Sequence, residues 1–190
     1  MEPPVTAVYD ANLLYPAPLR DLFIRLAQAG LVRARWTESI HEEWLRNVLK
    51  DNPQLSPERL ARTRTLMNEA VRDCLVTGHE KLIDALTLPD LNDRHVLAAA
   101  IHADAQVIVT CNLKDFPVAM LAQFGVEAQH PDDFLVGLLE AAPDAVVAAI
   151  KRQRESLRNP PKSAAELLAT FERHGLTESV ARLRQFTDQL

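Results

Sequence analysis

Two stretches of this sequence place acidic and amide side chains directly after apolar runs. Asp10 follows the run in "AVYDANLLYP", and Asn112 and Asp115 follow the run in "QVIVTCNLKDFP". Both runs contain β-branched residues and are typical of short buried strands. Because the loops at the carboxyl ends of parallel strands open on one crevice, these side chains come together if the two strands are neighbours.

Two further acids stand beside the apolar faces of predicted helices. Asp93 precedes Val96 and Leu97 by three and four residues, and Glu43 follows Ile40 by three. Side chains three or four positions apart share one side of a helix. Both acids are therefore expected on or beside a face that their helix buries.

Four carboxylates that meet in a half-buried crevice raise one another's pKa and need compensation. A divalent cation supplies it, and oxygen ligands of this kind suit Mg²⁺ or Mn²⁺. Such an ion is suited to phosphate chemistry. Taken singly, each acid also fits an ordinary turn, helix-cap or exposed position. The candidate site consists of Asp10, Glu43, Asp93 and Asp115.

The elements that must position these acids alternate between strand and helix patterns as far as residue 130. Strands are predicted at 5–9, 31–36, 106–110 and 126–129, and helices at 17–30, 38–50, 56–76 and 90–105. Only helical patterns follow, at 131–142, 143–158, 163–174 and 177–187. This order predicts a small parallel α/β domain at 1–130 and an all-helical C-terminal extension at 131–190.

The bulk composition is that of an ordinary globular protein. The chain has 190 residues, 47% hydrophobic and 25% charged, with 21 basic and 26 acidic side chains and a net charge of −5. The two cysteines have no metal-ligand spacing and form no disulfide framework, which favours a reducing compartment. No apolar run is long enough to span a bilayer. We therefore expect a cytoplasmic protein that does not enter the membrane.

The motifs "VYDANLLYP", "TESIHEEWLRNVL" and "DLNDRHVLAAAIHADAQVIVTCNLKDFP" resemble those of PIN-domain proteins, and more narrowly of VapC-type toxins from toxin–antitoxin pairs. The resemblance extends over residues 5–130, and the remainder is similar to the helical extension of longer VapC-type proteins. It implies a three-layer α/β/α fold and a divalent-metal endoribonuclease that cuts tRNA or another structured RNA. It also implies a cognate antitoxin and a homodimer.

The resemblance assigns residue roles as well. The family's acids match the four candidates, with Asp10, Asp93 and Asp115 as metal ligands and Glu43, rather than Glu42, as a ligand or water-positioning group. Supporting roles fall to Asn12, Thr110 and Asn112.

Position 112 departs from the family pattern, because many relatives carry an acid where this chain has Asn112. An amide brings no charge, so a second metal ion is in doubt. The same feature keeps open a PIN-like scaffold that binds RNA or protein without cutting. A phospho-receiver-like module is the less favoured alternative, because it requires an acid pair after the first strand.

Basic side chains near the predicted site offer contacts to RNA phosphates. The candidates are Arg46, Arg59 and Arg62, although exposed helix surface explains them equally simply. Two neighbours of the acids are expected to take no part. His95 follows Asp93 by two residues, which on a regular helix turns it away, and Cys111 is expected to be a small buried side chain.

Overall fold

The fold is built around a four-stranded parallel sheet, as the sequence pattern predicts. The computed structural model describes residues 4–190. The strands are β1 (Thr6–Tyr9), β2 (Arg33–Arg35), β3 (Val107–Val109) and β4 (Glu127–Gln129). Their spatial order is β2-β1-β3-β4. The central strands β1 and β3 are buried throughout, as expected for strands covered by helices on both faces.

Helices cover both faces of the sheet and then continue alone. Between the strands lie α1 (Ala11–Leu14), α2 (Ala17–Gln28), α3 (Glu38–Asp51), α4 (Pro57–Ala70), α5 (Glu80–Ile83), α6 (Arg94–His102) and α7 (Val118–Leu121). After β4 come α8 (Pro131–Ala141), α9 (Pro143–Ser156), α10 (Ala164–Arg173) and α11 (Thr177–Leu183). Short 3₁₀ turns occupy Leu91–Asp93, Leu113–Asp115, Ala122–Phe124 and Arg184–Gln189. The three-layer arrangement with a helical C-terminal region is confirmed.

Three helices are shorter than the sequence pattern predicts. The helix predicted at 177–187 ends at Leu183, where a 3₁₀ turn begins. The helix predicted at 56–76 ends at Ala70, because residues after it run alongside β2: Trp36 N donates to Cys74 O at 2.9 Å, and Val76 N donates to Trp36 O at 2.8 Å. The helix predicted at 90–105 begins only at Arg94, after the 3₁₀ turn Leu91–Asp93. The short helices α5 and α7 were not predicted.

A buried polar network holds α3 against its neighbours. Trp44 Nε1 donates to His41 Nδ1 at 2.9 Å, and His41 Nε2 lies 2.9 Å from Asn68 Oδ1 on α4. Because Nδ1 accepts a hydrogen bond, the proton of this neutral imidazole is on Nε2. Trp36 Nε1 also donates to Asn68 Oδ1, at 2.8 Å. Arg20 lies over the Trp44 ring at 4.5 Å and donates to the last carbonyls of α1. The network thereby ties α1 and α3 together.

The helical C-terminal part shares a continuous apolar core with the sheet-containing part. Phe134 stacks on Phe23 at 6.3 Å between ring centroids, and Gln153 Nε2 donates to Pro18 O at 3.0 Å. Apolar side chains of α10 take part in this core, because Leu167 and Phe171 are fully buried. The division of the chain at residue 130 stays a prediction.

A buried carboxylate on α8 binds the N-terminus of α11. Asp132 is buried and accepts hydrogen bonds from the backbone N–H groups of Glu178 and Ser179, each at 2.8 Å. The negative charge lies at the N-terminus of α11, where the helix dipole stabilises it. Within residues 4–190, none of the helices has the length and apolar character needed to cross a bilayer.

Candidate active site

Asp10 follows β1 and is held in place by its own hydrogen bonds. Its Oδ1 accepts from Ala11 N at 2.7 Å, and its Oδ2 accepts from Asn12 Nδ2 at 2.6 Å and from Thr110 Oγ1 at 2.7 Å. The residue is only 3% exposed. Burial raises the pKa of this carboxyl, the Thr110 and Ala11 hydrogen bonds lower it, and the charge of Glu43 raises it further. Asp10, which stands between two apolar runs of the sequence, is thus a buried side chain held in one orientation by hydrogen bonds.

The two strand-end loops are connected by polar side chains that the sequence analysis predicts as supporting residues. Asp10 N donates to Val109 O at 3.1 Å, so the loops leave adjacent strands at the same edge of the sheet. Asn12 Oδ1 accepts from Cys111 N at 2.8 Å, and Thr110 Oγ1 accepts from Asn112 N at 3.0 Å. These bonds fix the loop after β3 relative to Asp10.

Asp93 lies on the 3₁₀ turn that precedes α6, and its side chain makes no cap hydrogen bond there. Its pKa is raised from the usual 3.8 to about 7. Partial burial is the largest cause, followed by the charges of Asp10, Asp90, Asp115 and Glu43. The shift indicates that carboxylates from separate segments lie near enough to repel one another.

The acids open on a cleft of about 760 Å³ between α3, the Leu91–Asp93 turn and the β3 loop. Among the lining side chains are Asp10, Asn12, Glu43, Arg46, Asp93 and Asn112. Glu42 also reaches this cleft but is fully exposed on α3, whereas Glu43 is half-buried. Arg59 and Arg62 are exposed on α4 and are not among the lining residues of the described chain.

Asp115 stands apart from the other acids in its contacts. Its carboxylate accepts a hydrogen bond from Asn112 Nδ2, and it is absent from the described lining of the cleft. Its charge still contributes to the raised pKa of Asp93. The structure therefore gathers Asp10, Glu43 and Asp93 around the cleft and connects Asp115 to it through Asn112.

The donor set fits a hard divalent cation by its chemistry. The acids and amides offer oxygen ligands. Burial first, and then the charges of the neighbouring carboxylates, raise the pKa of Asp93, and a bound cation would offset both effects. Over residues 4–190, however, no three His, Cys, Asp or Glu side chains are arranged closely enough to enclose an ion. In the described chain the fit to a cation therefore rests on the chemistry of the oxygen donors and not on an enclosed cage of three acids.

Two neighbours of the acids differ from expectation. His95 lines the cleft, and its Nε2 lies 3.6 Å from Glu43 Oε2. Spacing along α6 does place His95 on another side from Asp93, but on that side the ring meets Glu43 of α3. Cys111 is exposed rather than buried. Neighbouring atoms partly desolvate the sulfur of Cys111, and this desolvation, followed by the charge of Asp10, raises the pKa of the thiol. The raised pKa disfavours a nucleophilic thiolate.

Comparisons with known proteins agree with the fold. Residues 6–114 match the family model of the PIN domain, and residues 131–185 match that of the VapC50 C-terminal domain. Because the first match covers more than half of the chain, the chain belongs to the PIN-domain family. The resemblance to VapC-type PIN proteins with a C-terminal extension is thereby confirmed.

One curated relative is similar to about half of this chain. The protein named "Putative ribonuclease VapC50" from Mycobacterium tuberculosis is 42% identical over 91 residues, which are 48% of this chain and 53% of that protein. The chain therefore spans about half the length of the curated relative that it matches. No solved structure matches the chain.

Proposed function

We propose that this chain is a divalent-metal-dependent endoribonuclease that acts as the toxin of a toxin–antitoxin pair. The observation that carries the proposal is the meeting of Asp10, Glu43 and Asp93 at one cleft, with the pKa of Asp93 raised to about 7. A cluster that is costly without a cation is the arrangement expected of a metal nuclease. The PIN family and the name of the relative support the same activity.

The residues that would hold Mg²⁺ or Mn²⁺ are Asp10, Asp93 and Asp115, with Asn112 as a neutral oxygen donor. Such an ion would activate a water molecule and neutralise charge on the phosphate undergoing hydrolysis. Asn12 and Thr110 orient Asp10 through the hydrogen bonds to its Oδ2. Glu43, on the opposite side of the cleft, would orient the attacking water and accept its proton.

The substrate would be tRNA or another structured RNA, held by its phosphates. Arg46 lines the cleft and would contact a phosphate next to the scissile one. Arg59 and Arg62 lie exposed on α4, the helix that follows, and would contact phosphates further along the RNA. Local basic side chains can attract RNA although the net charge is −5, because charge segregation decides the local potential.

The proposed partners are a cognate antitoxin, which would block the cleft, and a second copy of the chain in a homodimer. The proposed location is the cytoplasm, in keeping with the two free cysteines. The helical extension packs on the PIN domain through apolar side chains such as Leu167 and Phe171. Its residues 131–185 are the part that the VapC50-type family model describes.

The test is cleavage of total RNA by purified protein with Mg²⁺, with Mn²⁺ and with EDTA, together with the Asp10→Asn variant. The matched control is Asp133→Asn, an exposed acid on α8. We expect cleavage with either metal, none with EDTA, loss in Asp10→Asn and retention in the control. Circular dichroism confirms that Asp10→Asn is folded. Cleavage that survives EDTA or Asp10→Asn would refute the proposal, and RNA binding without any cleavage would establish the non-catalytic scaffold.

A further inference from the structure

The carboxylate of Glu43 has only one evident side chain to orient it. Throughout residues 4–190, no hydrogen bond is made to this carboxylate, and the basic nitrogen within 4 Å of it is His95 Nε2, at 3.6 Å. A carboxylate that positions a water molecule must itself be held in one orientation. His95 is therefore the side chain placed to provide that constraint.

The surroundings of the His95 ring favour one tautomer. Its Nδ1 is buried and has no hydrogen-bond partner in the described chain, while Nε2 faces the Glu43 carboxylate. A proton on Nδ1 would be a buried N–H without an acceptor, and it would leave the Nε2 lone pair facing a carboxylate. The Nε2–H tautomer avoids both costs because it directs a donor toward Glu43.

The imidazole of His95 is more deeply buried than the carboxylate of Glu43 that it faces. The His95 side chain is 16% exposed, against 33% for Glu43. It extends from the first turn of α6, immediately after the turn that carries Asp93. A small shift of either side chain would bring the 3.6 Å separation to hydrogen-bond length, as contacts in a site often tighten when substrate binds.

We propose that His95 is a positioning residue for the reaction: its Nε2–H holds Glu43 in the orientation that receives the proton of the attacking water. The inference rests on the proposed function. It gives a role to His95, which the spacing of the sequence predicts to take no part in the site.

The experiment is a double-mutant cycle on cleavage of a fluorophore–quencher RNA oligonucleotide of mixed sequence. We expect His95→Leu to lower kcat by about tenfold or more with KM nearly unchanged. In a Glu43→Gln background the same substitution should change kcat by less than about twofold, because the residue acts through Glu43. His95→Gln retains an N–H donor and should restore part of kcat. The control is His102→Leu, an exposed side chain at the end of α6.

A second measurement follows the contact without catalysis. In metal-free protein, long-range ¹H–¹⁵N spectra of the histidine rings should show His95 as the Nε2–H tautomer. Glu43→Gln should shift its signals and leave those of His102 unchanged. Additive effects in the cycle, or His95 signals insensitive to Glu43→Gln, would overturn the role of His95 while the nuclease proposal stands. A wild-type protein that cuts no RNA with any metal would overturn both.

Discussion

Replacement of Asp93 by Asn should stabilise the metal-free protein while it abolishes cleavage. The carboxyl of Asp93 is partly buried and lies near the charges of Asp10, Asp90, Asp115 and Glu43, which together raise its pKa to about 7. Ionising it in the folded protein therefore costs free energy that the unfolded chain does not pay. An amide of nearly the same shape removes that cost together with one proposed metal ligand.

The magnitude follows from the displacement of the pKa. Asp93 moves from its usual 3.8 to about 7, and each tenfold change in acid dissociation corresponds to about 1.4 kcal/mol. The full displacement would amount to about 4 kcal/mol. Because the residue is half-exposed, solvent screening reduces the expected effect to about 1–2 kcal/mol of unfolding free energy. For a chain of this size, that is a rise of a few degrees in Tm.

The sign of the pH dependence is fixed by the direction of the shift. A carboxyl whose folded pKa is raised contributes stability that is complete below the unfolded value of 3.8 and is lost as the pH rises through about 7. The advantage of Asp93→Asn should thus be near zero at about pH 4 and largest above about pH 8. Urea denaturation in EDTA across this range measures it.

Two controls separate this effect from a general loss of charge. Glu42→Gln removes one negative charge from an exposed position on the same cleft and should change stability far less. Added Mg²⁺ should stabilise the wild type, because a ligand bound only by the folded state raises its stability, and should stabilise Asp93→Asn less. If Asp93→Asn is no more stable than the wild type at high pH, or gains equally at low pH, the acids do not repel one another as described.

Three further predictions concern other parts of the chain. Asp132→Ala should lower the free energy of unfolding, measured in urea, by about 2–4 kcal/mol, because two backbone N–H groups lose a charged acceptor. Asp133→Ala should lower it little. Equal losses in the two variants would contradict the capping role of Asp132. Burial lowers the pKa of His41 below 6.5, so its neutral form contributes stability that is complete above pH 6.5 and is lost as the pH falls below it. The urea midpoint of the wild type should therefore drop between about pH 7.5 and 5.5, and that of His41→Gln should drop less. An equal drop in both proteins would refute this prediction. Arg59→Ala with Arg62→Ala should reduce the slope of log cleavage rate against log salt by about 1–2, and an unchanged slope would exclude phosphate contacts.

The positions of Asp10 and Asn112 could be predicted because they depend on strands alone. Apolar runs without polar alternation identify β1 and β3 as covered strands, and parallel strands bring their carboxyl ends to one edge. The backbone bond from Asp10 N to Val109 O is the direct consequence. Thr37 likewise caps α3 as its position before the helix predicts, which sets the start of the helix that carries Glu43.

The position of His95 and the end of α4 could not be predicted, for different reasons. Helical spacing describes one helix alone, whereas the contact of His95 is with Glu43 on α3. The residues after Ala70 leave the helix because Trp36 offers them backbone hydrogen bonds. Local propensity carries no information on a partner 38 residues earlier, whose N–H binds Cys74 O.

The amide at position 112 has a physical reason that charge counting alone does not show. An acid there would add another negative charge beside Asp115 and near Asp93, whose carboxyl is already hard to ionise. Asn112 instead donates a hydrogen bond to Asp115 while its backbone N–H binds Thr110, the residue that also holds Asp10. An amide at position 112 thus connects the two strand-end acids where a carboxylate would repel Asp115. It also adds no negative charge near Asp93, so the metal-free site carries less repulsion than an acid at this position would give it.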